Sequence, residues 1–452
     1  MNKTSIQKTS LRNLAALGLF GCIAASALAQ QPKTEITLAR FFGSCEADYG
    51  KSTDIKAARG ECGVITTLVN NFNATNKDNI VVKPQIAEWG PYYDQLTARI
   101  VARDVPAIAV MHESSLGDFV NRKLLEPMDD SFKSVGIDTA QFTDHAKAGT
   151  SFDGKTYALP FDTWAWLWHF NLNLMKKAGL TKADGTPVIP TTPEELLTQA
   201  RQFKQATGKP YFSWTTVNTT SPNMRTFLTL FYQQNGAELF KGGAKPQLDM
   251  KSPQATKALE LMTQMYNEGL VMTGLDYGAS NQAFVNGETG VVVVGTWKID
   301  DFVAQSEKAD TALSKGYAVY PFPKLLDKKA VFADGHSWVM LKGGTKDEAS
   351  RKAALTFLKF LWDNDVEWAR TGHLPANKAA LATAEFKALP MRANIAEIST
   401  IGRGMPHSVP RQRAIEVAVD QEIGNMMTSK KPLKDTQDAA ESRVNKLLDA
   451  VR

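Results

Sequence analysis

A regular alternation of strand-like and helix-like segments is the feature that most restricts how this chain can fold. Residues 35–39 alternate apolar and polar side chains as a half-buried strand does, and residues 64–72 carry apolar side chains at helical spacing. The order then repeats as strand, helix, strand, helix at residues 80–82, 92–101, 107–111 and 116–123. Parallel strands need such crossover helices, so this part of the chain predicts a largely parallel sheet covered by helices.

A second series of elements begins after Pro160. Residues 164–170 and 290–294 have the apolar composition of buried strands, and residues 317–320 and 337–341 give further strand signals. Helical patterns cover residues 221–234, 252–268, 281–286, 347–362, 366–370, 412–427 and 436–451. No low-complexity linker separates the two series, which predicts an α/β fold of two units between which the chain passes more than once.

One helix start can be placed to the residue. Thr192 is a good N-cap, Pro193 suits the first helical position, and Glu195 stands three residues after the cap. The sequence therefore predicts a capping box at Thr192 and a helix from Pro193 onward.

The first 29 residues have the pattern of a secretory signal peptide. A basic start precedes a short apolar run, and Ala27-Leu28-Ala29 offers the small residues that signal peptidase requires. We predict cleavage after Ala29, a mature chain from Gln30 and a periplasmic location. Lipid attachment at Cys22 is the alternative, which the bulky Phe20 disfavours.

The charge balance excludes two classes of partner. The chain carries 52 lysines and arginines against 47 aspartates and glutamates, and the signal holds three of the basic residues, so the mature chain is nearly neutral. It has no run of five like charges. Neither a nucleic-acid surface nor a polybasic membrane patch is predicted.

Two cysteines remain once the signal is removed. Cys45 and Cys62 form an even pair in a chain bound for an oxidising compartment, so we predict a disulfide between them. A metal or redox pair is the alternative, but the intervening residues hold no histidine and do not give a CxxC spacing. The six histidines of the whole chain also lack metal-ligand spacing, and we predict no cofactor and no metal.

Short motifs in a fixed order give the chain a family resemblance. They are Leu124-Leu125-Glu126-Pro127-Met128, Asp153-Gly154-Lys155 with Leu159-Pro160, Phe170-Asn171 with Leu174-Met175, Ala283-Phe284 with Gly287-Glu288, Gly295-Thr296-Trp297, and Gly372-His373-Leu374-Pro375. In these the chain resembles the extracellular solute-binding proteins of ABC importers, in the carbohydrate-binding group that includes maltose-binding protein. The resemblance covers essentially the whole mature chain.

This resemblance implies a two-lobe periplasmic binding protein fold with a ligand cleft between the lobes. The chain would cross between lobes near residues 162–164, 334–338 and 371–375. The N-terminal lobe would hold residues 30–162 plus 336–372, and the C-terminal lobe residues 163–335 plus 373–452. A monomer that delivers a sugar to the membrane subunits of an ABC importer is the implied function.

Carbohydrate sites combine aromatic platforms with side chains that bond hydroxyl groups. At predicted strand ends and crossings the chain places such residues, and we predict ligand contact for Glu88, Trp89, His112, Glu113, Asp162, Trp164, Trp214, Trp297, Asp334, His336 and Arg403. For each tryptophan the alternative is a place in the core, and for each carboxylate a solvated loop.

Two other functions stay open. A polyamine would need converging carboxylates, which Glu88, Glu113, Asp162 and Asp334 supply. A glycoside hydrolase needs only two carboxylates that meet in space. Nucleophile-elbow and metalloprotease motifs are absent from the sequence, and the formal phosphate-loop match at residues 149–156 is followed by Pro160, which prevents the required helix. We therefore predict a binding protein and not an enzyme.

Overall fold

The computed structural model describes residues 33–217, 221–243 and 245–451. The predicted signal peptide, Cys22 and the cleavage site lie outside the described residues. Among the helices that are described, none is both long and apolar enough to cross a bilayer.

Strands and helices follow the predicted order closely. The strands are β1 Thr34–Arg40, β2 Ile80–Ile86, β3 Ile108–His112, β4 Ser151–Phe152, β5 Lys155–Thr156, β6 Leu159–Pro160, β7 Asp162–Asn171, β8 Phe212–Ser213, β9 Phe240–Lys241, β10 Gln247–Leu248, β11 Val291–Gly295, β12 Tyr317–Pro321, β13 Val331–Asp334, β14 His336–Met340, β15 Leu374–Pro375 and β16 Gly402–Arg403. The helices are α1 Glu46–Tyr49, α2 Gly60–Thr75, α3 Tyr92–Val101, α4 Glu113–Asn121, α5 Asp129–Ser134, α6 Asp144–Thr150, α7 Leu172–Lys177, α8 Pro193–Thr207, α9 Pro222–Tyr232, α10 Pro253–Asn267, α11 Tyr277–Val285, α12 Ile299–Glu307, α13 Glu348–Asp363, α14 Asp365–Trp368, α15 Lys378–Ala382, α16 Ala384–Ala388, α17 Arg392–Ile395, α18 Ile398–Ile401, α19 Gln412–Thr428 and α20 Leu433–Asp449.

The first sheet has the strand order β2-β1-β3-β14-β6. β1 runs parallel to β2 and β3, as the alternating pattern predicts. β14 is antiparallel to both β3 and β6, so the predicted largely parallel arrangement holds only for β2, β1 and β3. The reason is that β14 enters directly from the other sheet across Gly335, and a direct entry needs no crossover helix.

The second sheet is built around β7. This strand is buried along its whole length and pairs antiparallel with β11, β12, β13 and β15. β8 and β16 complete the sheet by parallel pairing with β11 and β13. The predicted strand at residues 164–170 is confirmed and extends to both sides.

Each sheet has its own hydrophobic core. One core contains β1, β3, α2 and α13, and the other contains β7, β11, α9 and α19. We call the part built on the first sheet the first lobe and the part built on the second sheet the second lobe. The exact lobe boundaries stay a prediction.

Within the described residues, the chain passes between the two large sheets at three places. It does so at Phe161 between β6 and β7, at Gly335 between β13 and β14, and again before β15. These places lie within or beside the three predicted crossing segments, so the polar residues predicted there come close to one another.

Local signals predicted from sequence are largely confirmed. The Thr192 hydroxyl accepts the backbone N–H of Glu195 at the start of α8. The Glu195 carboxylate, however, binds the backbone N–H and hydroxyl of Thr191, one residue before the predicted partner. Residues 151–156 form a β4–β5 hairpin and no helix follows, so the phosphate-loop match is excluded as expected.

The predicted Cys45–Cys62 disulfide is present. It ties the residue before α1 to the first turn of α2. At the same end of α2, the guanidinium of Arg59 and the backbone N–H of Gly60 both donate to Asp300 of the second lobe, at 2.9 and 2.8 Å. The disulfide therefore anchors a segment through which the two lobes touch.

Candidate functional site

The first two crossings pack directly on each other. A Cβ at Gly335 would lie 2.6 Å from the carbonyl oxygen of Asp162 and 2.7 Å from the carboxylate of Glu113. The backbone N–H of Glu113 donates to the carbonyl of Gly335 at 2.8 Å. Glycine is required here because any side chain would push the crossings apart.

Asp162 links all three crossings. Its carboxylate accepts the backbone N–H of His336 at 3.0 Å, the ring Nδ1–H of His336 at 2.8 Å and the indole N–H of Trp368 at 2.6 Å. Burial alone would raise the pKa of Asp162, but the nearby rings of His336 and His373 and the hydrogen bonds lower it below its ordinary value. The same contact raises the pKa of His336 against the opposing effect of its burial.

Aromatic rings from both lobes surround these crossings. The Trp164 ring lies 5.4 Å from the Trp297 ring and 6.0 Å from the His112 ring, with both pairs edge to face. The guanidinium of Arg225 lies 4.6 Å from the centre of the Trp164 ring, a cation–π contact. The indole N–H of Trp164 is buried and has no hydrogen-bond partner among the described residues.

A cavity of about 230 Å³ lies beside this aromatic group. Its polar lining consists of Glu113, Ser114, His145, Asp334, Arg403, His407, Gln412 and Glu416. The Oε1 atom of Glu113 is buried without a partner among the described residues, while its Oε2 atom lies 3.8 Å from Nε2 of His145. The cavity thus contains a buried hydrogen-bonding group that nothing in the described chain satisfies.

Burial raises the pKa of two carboxyl groups that line the cavity, those of Glu113 and Asp334. Burial raises the pKa of Glu113 well above its ordinary value, and the charges of Asp334 and Asp162 raise it further. Burial also raises the pKa of Asp334 to about 6, although the hydroxyl and backbone N–H of Ser114 donate to it. The protonated form is therefore favoured at Glu113, whereas Asp334 is mainly ionised at pH 7.

The raised pKa of Asp334 leads to a pH-dependence prediction. Between pH about 4 and 6 the folded state holds a proton that the unfolded state has released, so stability falls as pH rises through this window. The shift from 3.8 to about 6 corresponds to about 2–3 kcal/mol at 1.36 kcal/mol per pKa unit. We expect the free energy of unfolding of Asp334→Asn to fall less than that of the wild type between pH 4 and pH 7. Urea unfolding at the two pH values measures this difference.

The matched control for that experiment is Asp310→Asn, since Asp310 is exposed. It should leave the pH profile of the wild type unchanged. An Asp334→Asn profile that parallels the wild type would show that Asp334 titrates normally.

A larger open groove of about 1410 Å³ continues from the cavity, and His407 lines both. It runs between α3 and α4 of the first lobe and α19 and α20 of the second. The guanidinium of Arg413 lies 4.2 Å from the centre of the Trp89 ring, and the backbone N–H of Arg411 donates to Asp118 at 2.7 Å. The lobes are therefore in contact on this side as well.

The structure brings together most of the residues predicted from sequence. Those that meet at the crossings and the cavity are His112, Glu113, Asp162, Trp164, Trp297, Asp334 and His336. Arg403 lies at the exposed rim of the cavity, and Trp89 lies at the edge of the groove under Arg413. Glu88 is exposed beside Trp89, and Trp214 is buried against Phe212 in the second core.

Five further residues make contacts at the crossings, the cavity or the groove and are not among the predicted ones: Glu61, Arg225, His373, Arg413 and Glu416. Arg225 and Glu416 lie within helices and form an ion pair at 3.6 Å that is almost fully buried. Charged residues in a helical pattern ordinarily face solvent, so this pair could not be predicted from the sequence. Two of the five could have been found from the sequence. His373 belongs to one of the family motifs, and Glu61 is next to Cys62 of the predicted disulfide.

Comparison with known proteins gives a consistent result. Residues 67–394 match the family model described as bacterial extracellular solute-binding protein. The sn-glycerol-3-phosphate-binding periplasmic protein UgpB of Escherichia coli O1:K1 is 26% identical over 443 residues, covering 91% of this chain and 93% of that protein.

Solved structures agree on the fold. The GacH receptor of Streptomyces glaucescens, solved unliganded and with acarbose, superposes with a TM-score of 0.75 at 17% identity, covering 92% of this chain and 99% of that one. The sugar-binding protein MalE of Xanthomonas citri superposes with a TM-score of 0.72 at 17% identity, covering 93% of this chain and 98% of that one. The two-lobe α/β architecture predicted from sequence is thereby confirmed.

Proposed function

The chain belongs to the bacterial extracellular solute-binding proteins, and from this premise we propose that it captures a mono- or oligosaccharide in the cleft between its lobes. The closed protein then presents the sugar to the membrane subunits of an ABC importer. Ligand favours the closed state to the extent that it binds that state better than the open one.

The observation that carries the sugar assignment is a set of unpaired buried hydrogen-bonding groups beside aromatic rings. Within the described chain, the indole N–H of Trp164, Oε1 of Glu113, Nε2 of His145 and Nε of Arg225 are buried without a hydrogen-bond partner. The raised pKa of Glu113 favours the neutral form of its carboxyl group. Unpaired donors and acceptors beside aromatic rings suit a hydroxyl-rich ligand.

The partners that the carboxylates already have argue against the polyamine alternative. A polyamine cation needs ionised carboxylates, but Glu416 is already paired with arginines and Asp334 already accepts two hydrogen bonds from Ser114. Glu88 is exposed and does not line the cavity within the described chain.

The volume of the cavity favours a single small sugar unit there. The cavity of about 230 Å³ is below the usual ligand-pocket range of roughly 300–1,000 Å³, so opening of the lobes has to accompany entry. The adjoining groove of about 1410 Å³ offers room for further units of an oligosaccharide.

A thermal-shift panel tests the ligand class. We expect stabilisation by at least one sugar among hexoses, pentoses and short oligosaccharides, because a ligand that binds only the native state raises the melting temperature. Glycerol 3-phosphate, spermidine and putrescine serve as the charged comparisons. Stabilisation by one of these and by no carbohydrate would overturn the sugar assignment.

A substitution at Trp297 then tests the site. This indole is half-buried between Trp164 and His373 and donates to the Tyr277 hydroxyl. We expect Trp297→Ala to weaken sugar binding by about 2–3 kcal/mol, roughly 30- to 150-fold in Kd by calorimetry, because an aromatic platform is lost. Tyr277→Phe keeps the ring and removes only the hydroxyl, so it should change Kd less than fivefold. An affinity within threefold of wild type in Trp297→Ala would place the sugar elsewhere.

The proposal includes that the protein binds its sugar without hydrolysing it. Incubation of the purified chain with the oligosaccharide that it binds should release no reducing ends. Release that is abolished by Glu113→Gln would instead assign a glycoside hydrolase.

We also propose a periplasmic monomer that begins at Gln30. Mass spectrometry of the periplasmic fraction should give the mass of residues 30–452. A lipid-modified chain starting at Cys22 would contradict this, and light scattering that gives a dimer mass would contradict the monomer.

A further inference from the structure

One carboxylate and two imidazoles converge where the lobes meet. Glu61, His336 and His373 each offer one ligand atom, and these atoms all lie within 4.8 Å of one another. A carboxylate with two imidazoles is a common donor set for zinc and for other divalent transition metals. We propose that this cluster binds one divalent transition-metal ion of the zinc class.

His336 is already oriented as a metal ligand. Its Nδ1 lies 2.8 Å from the Asp162 carboxylate, which is itself held by the Trp368 indole N–H at 2.6 Å. Since Nδ1 faces Asp162, Nε2 is the ring nitrogen that remains for an ion. Metal-binding histidines generally donate their other N–H to a carboxylate in this manner, which fixes the tautomer and the ring direction.

His373 and Glu61 supply the other two donors. Nδ1 of His373 lies 3.0 Å from the Thr296 hydroxyl, and its Nε2 lies 2.9 Å from Oε1 of Glu61. The ion would take the place of the proton shared by Nε2 and Glu61. His373 is fully buried while the Glu61 side chain is 24% exposed, so the ion can enter from the Glu61 side.

Charge and spacing both suit a divalent ion. The carboxylates of Glu61 and Asp162 supply two negative charges, and the rings of His336 and His373 meet edge to face at 5.4 Å. Zinc bonds of about 2.0–2.1 Å require the donors to be closer than 4.8 Å, so binding draws the three side chains together by about 1 Å. Nitrogen donors favour zinc, copper or nickel over magnesium or calcium.

The ion would also link the lobes. Glu61 lies on α2 and His336 on β14, both in the first lobe, whereas His373 lies directly before β15 of the second sheet. Metal binding therefore favours the closed arrangement. The site does not depend on which solute the cleft takes.

Metal titration of the mature chain after chelator treatment tests the site. We expect one Zn²⁺ per chain by calorimetry, visible absorption bands of nitrogen-coordinated Co²⁺, and no binding of Mg²⁺. Glu61→Gln and His373→Gln should each weaken Zn²⁺ and Co²⁺ binding at least tenfold. His407→Gln, which removes an exposed histidine of the cavity rim, should leave both unchanged.

Several outcomes would overturn the proposal. These are the absence of a Co²⁺ spectrum, an affinity that neither cluster variant changes, or an equal loss in His407→Gln. Circular dichroism and melting without metal check the fold of each variant. If His373→Gln fails to fold, the metal affinity of Glu61→Gln decides the test. This variant should fold, because glutamine still accepts the His373 N–H and position 61 is partly exposed. Sugar binding measured in the same samples separates failure of this site from failure of the proposed function.

Discussion

Replacing Asp162 with alanine should lower the free energy of unfolding by about 3–5 kcal/mol, the usual cost of removing one partner of a buried ionic pair. Asp162 is fully buried, and three N–H groups of His336 and Trp368 donate to its carboxylate. In the alanine variant these donors would remain buried without an acceptor. Urea unfolding at pH 7 provides the measurement.

The control for this substitution is Asp310→Ala on the surface, which should change stability by less than about 0.5 kcal/mol. Asp162→Asn is the informative intermediate, since it keeps the size and one acceptor oxygen but loses the charge. A loss below about 1 kcal/mol in Asp162→Ala would mean that the crossings do not depend on this carboxylate.

Removing the disulfide should cost about 3 kcal/mol of stability. Cys45 and Cys62 are 17 residues apart, and a cross-link over a loop of about 15 residues restricts the unfolded chain by roughly this amount on the loop-entropy model. The double variant Cys45→Ser with Cys62→Ser, measured by urea unfolding without reductant, tests this value.

Reductant supplies the matched control for the disulfide. It should lower the stability of the wild type toward that of the double variant and leave the double variant unchanged. Since Glu61 precedes Cys62, we also expect the double variant to hold the Glu61–His373 contact less firmly. Equal stability of wild type and double variant without reductant would contradict the prediction.

Elements whose signals are local could be predicted well from the sequence. The helix at Pro193–Thr207 begins where Thr192 and Pro193 predict, and the first strands and helices differ from the predicted bounds by only a few residues. The antiparallel return of β14 could not be predicted, because the direction of a strand depends on the sheet that it joins. Arg225 and Glu416 had no local pattern to distinguish them, because charged residues in a helical pattern ordinarily face solvent.

By itself, the sequence determined the periodic elements, the helix start at Thr192, the cysteine pair and, through ordered motifs, the two-lobe family fold. Only the tertiary structure decided which polar groups meet: Asp162 with Trp368, Arg225 with Glu416, and Glu61 with His373 across 312 positions of the chain. Propensity, capping and periodicity act over a turn or a strand. These contacts join residues that are far apart in the chain, and they form only when the two cores pack against the crossing segments. For this reason spacing along the chain predicted no metal ligands, while the fold places two histidines and a glutamate within reach of one ion.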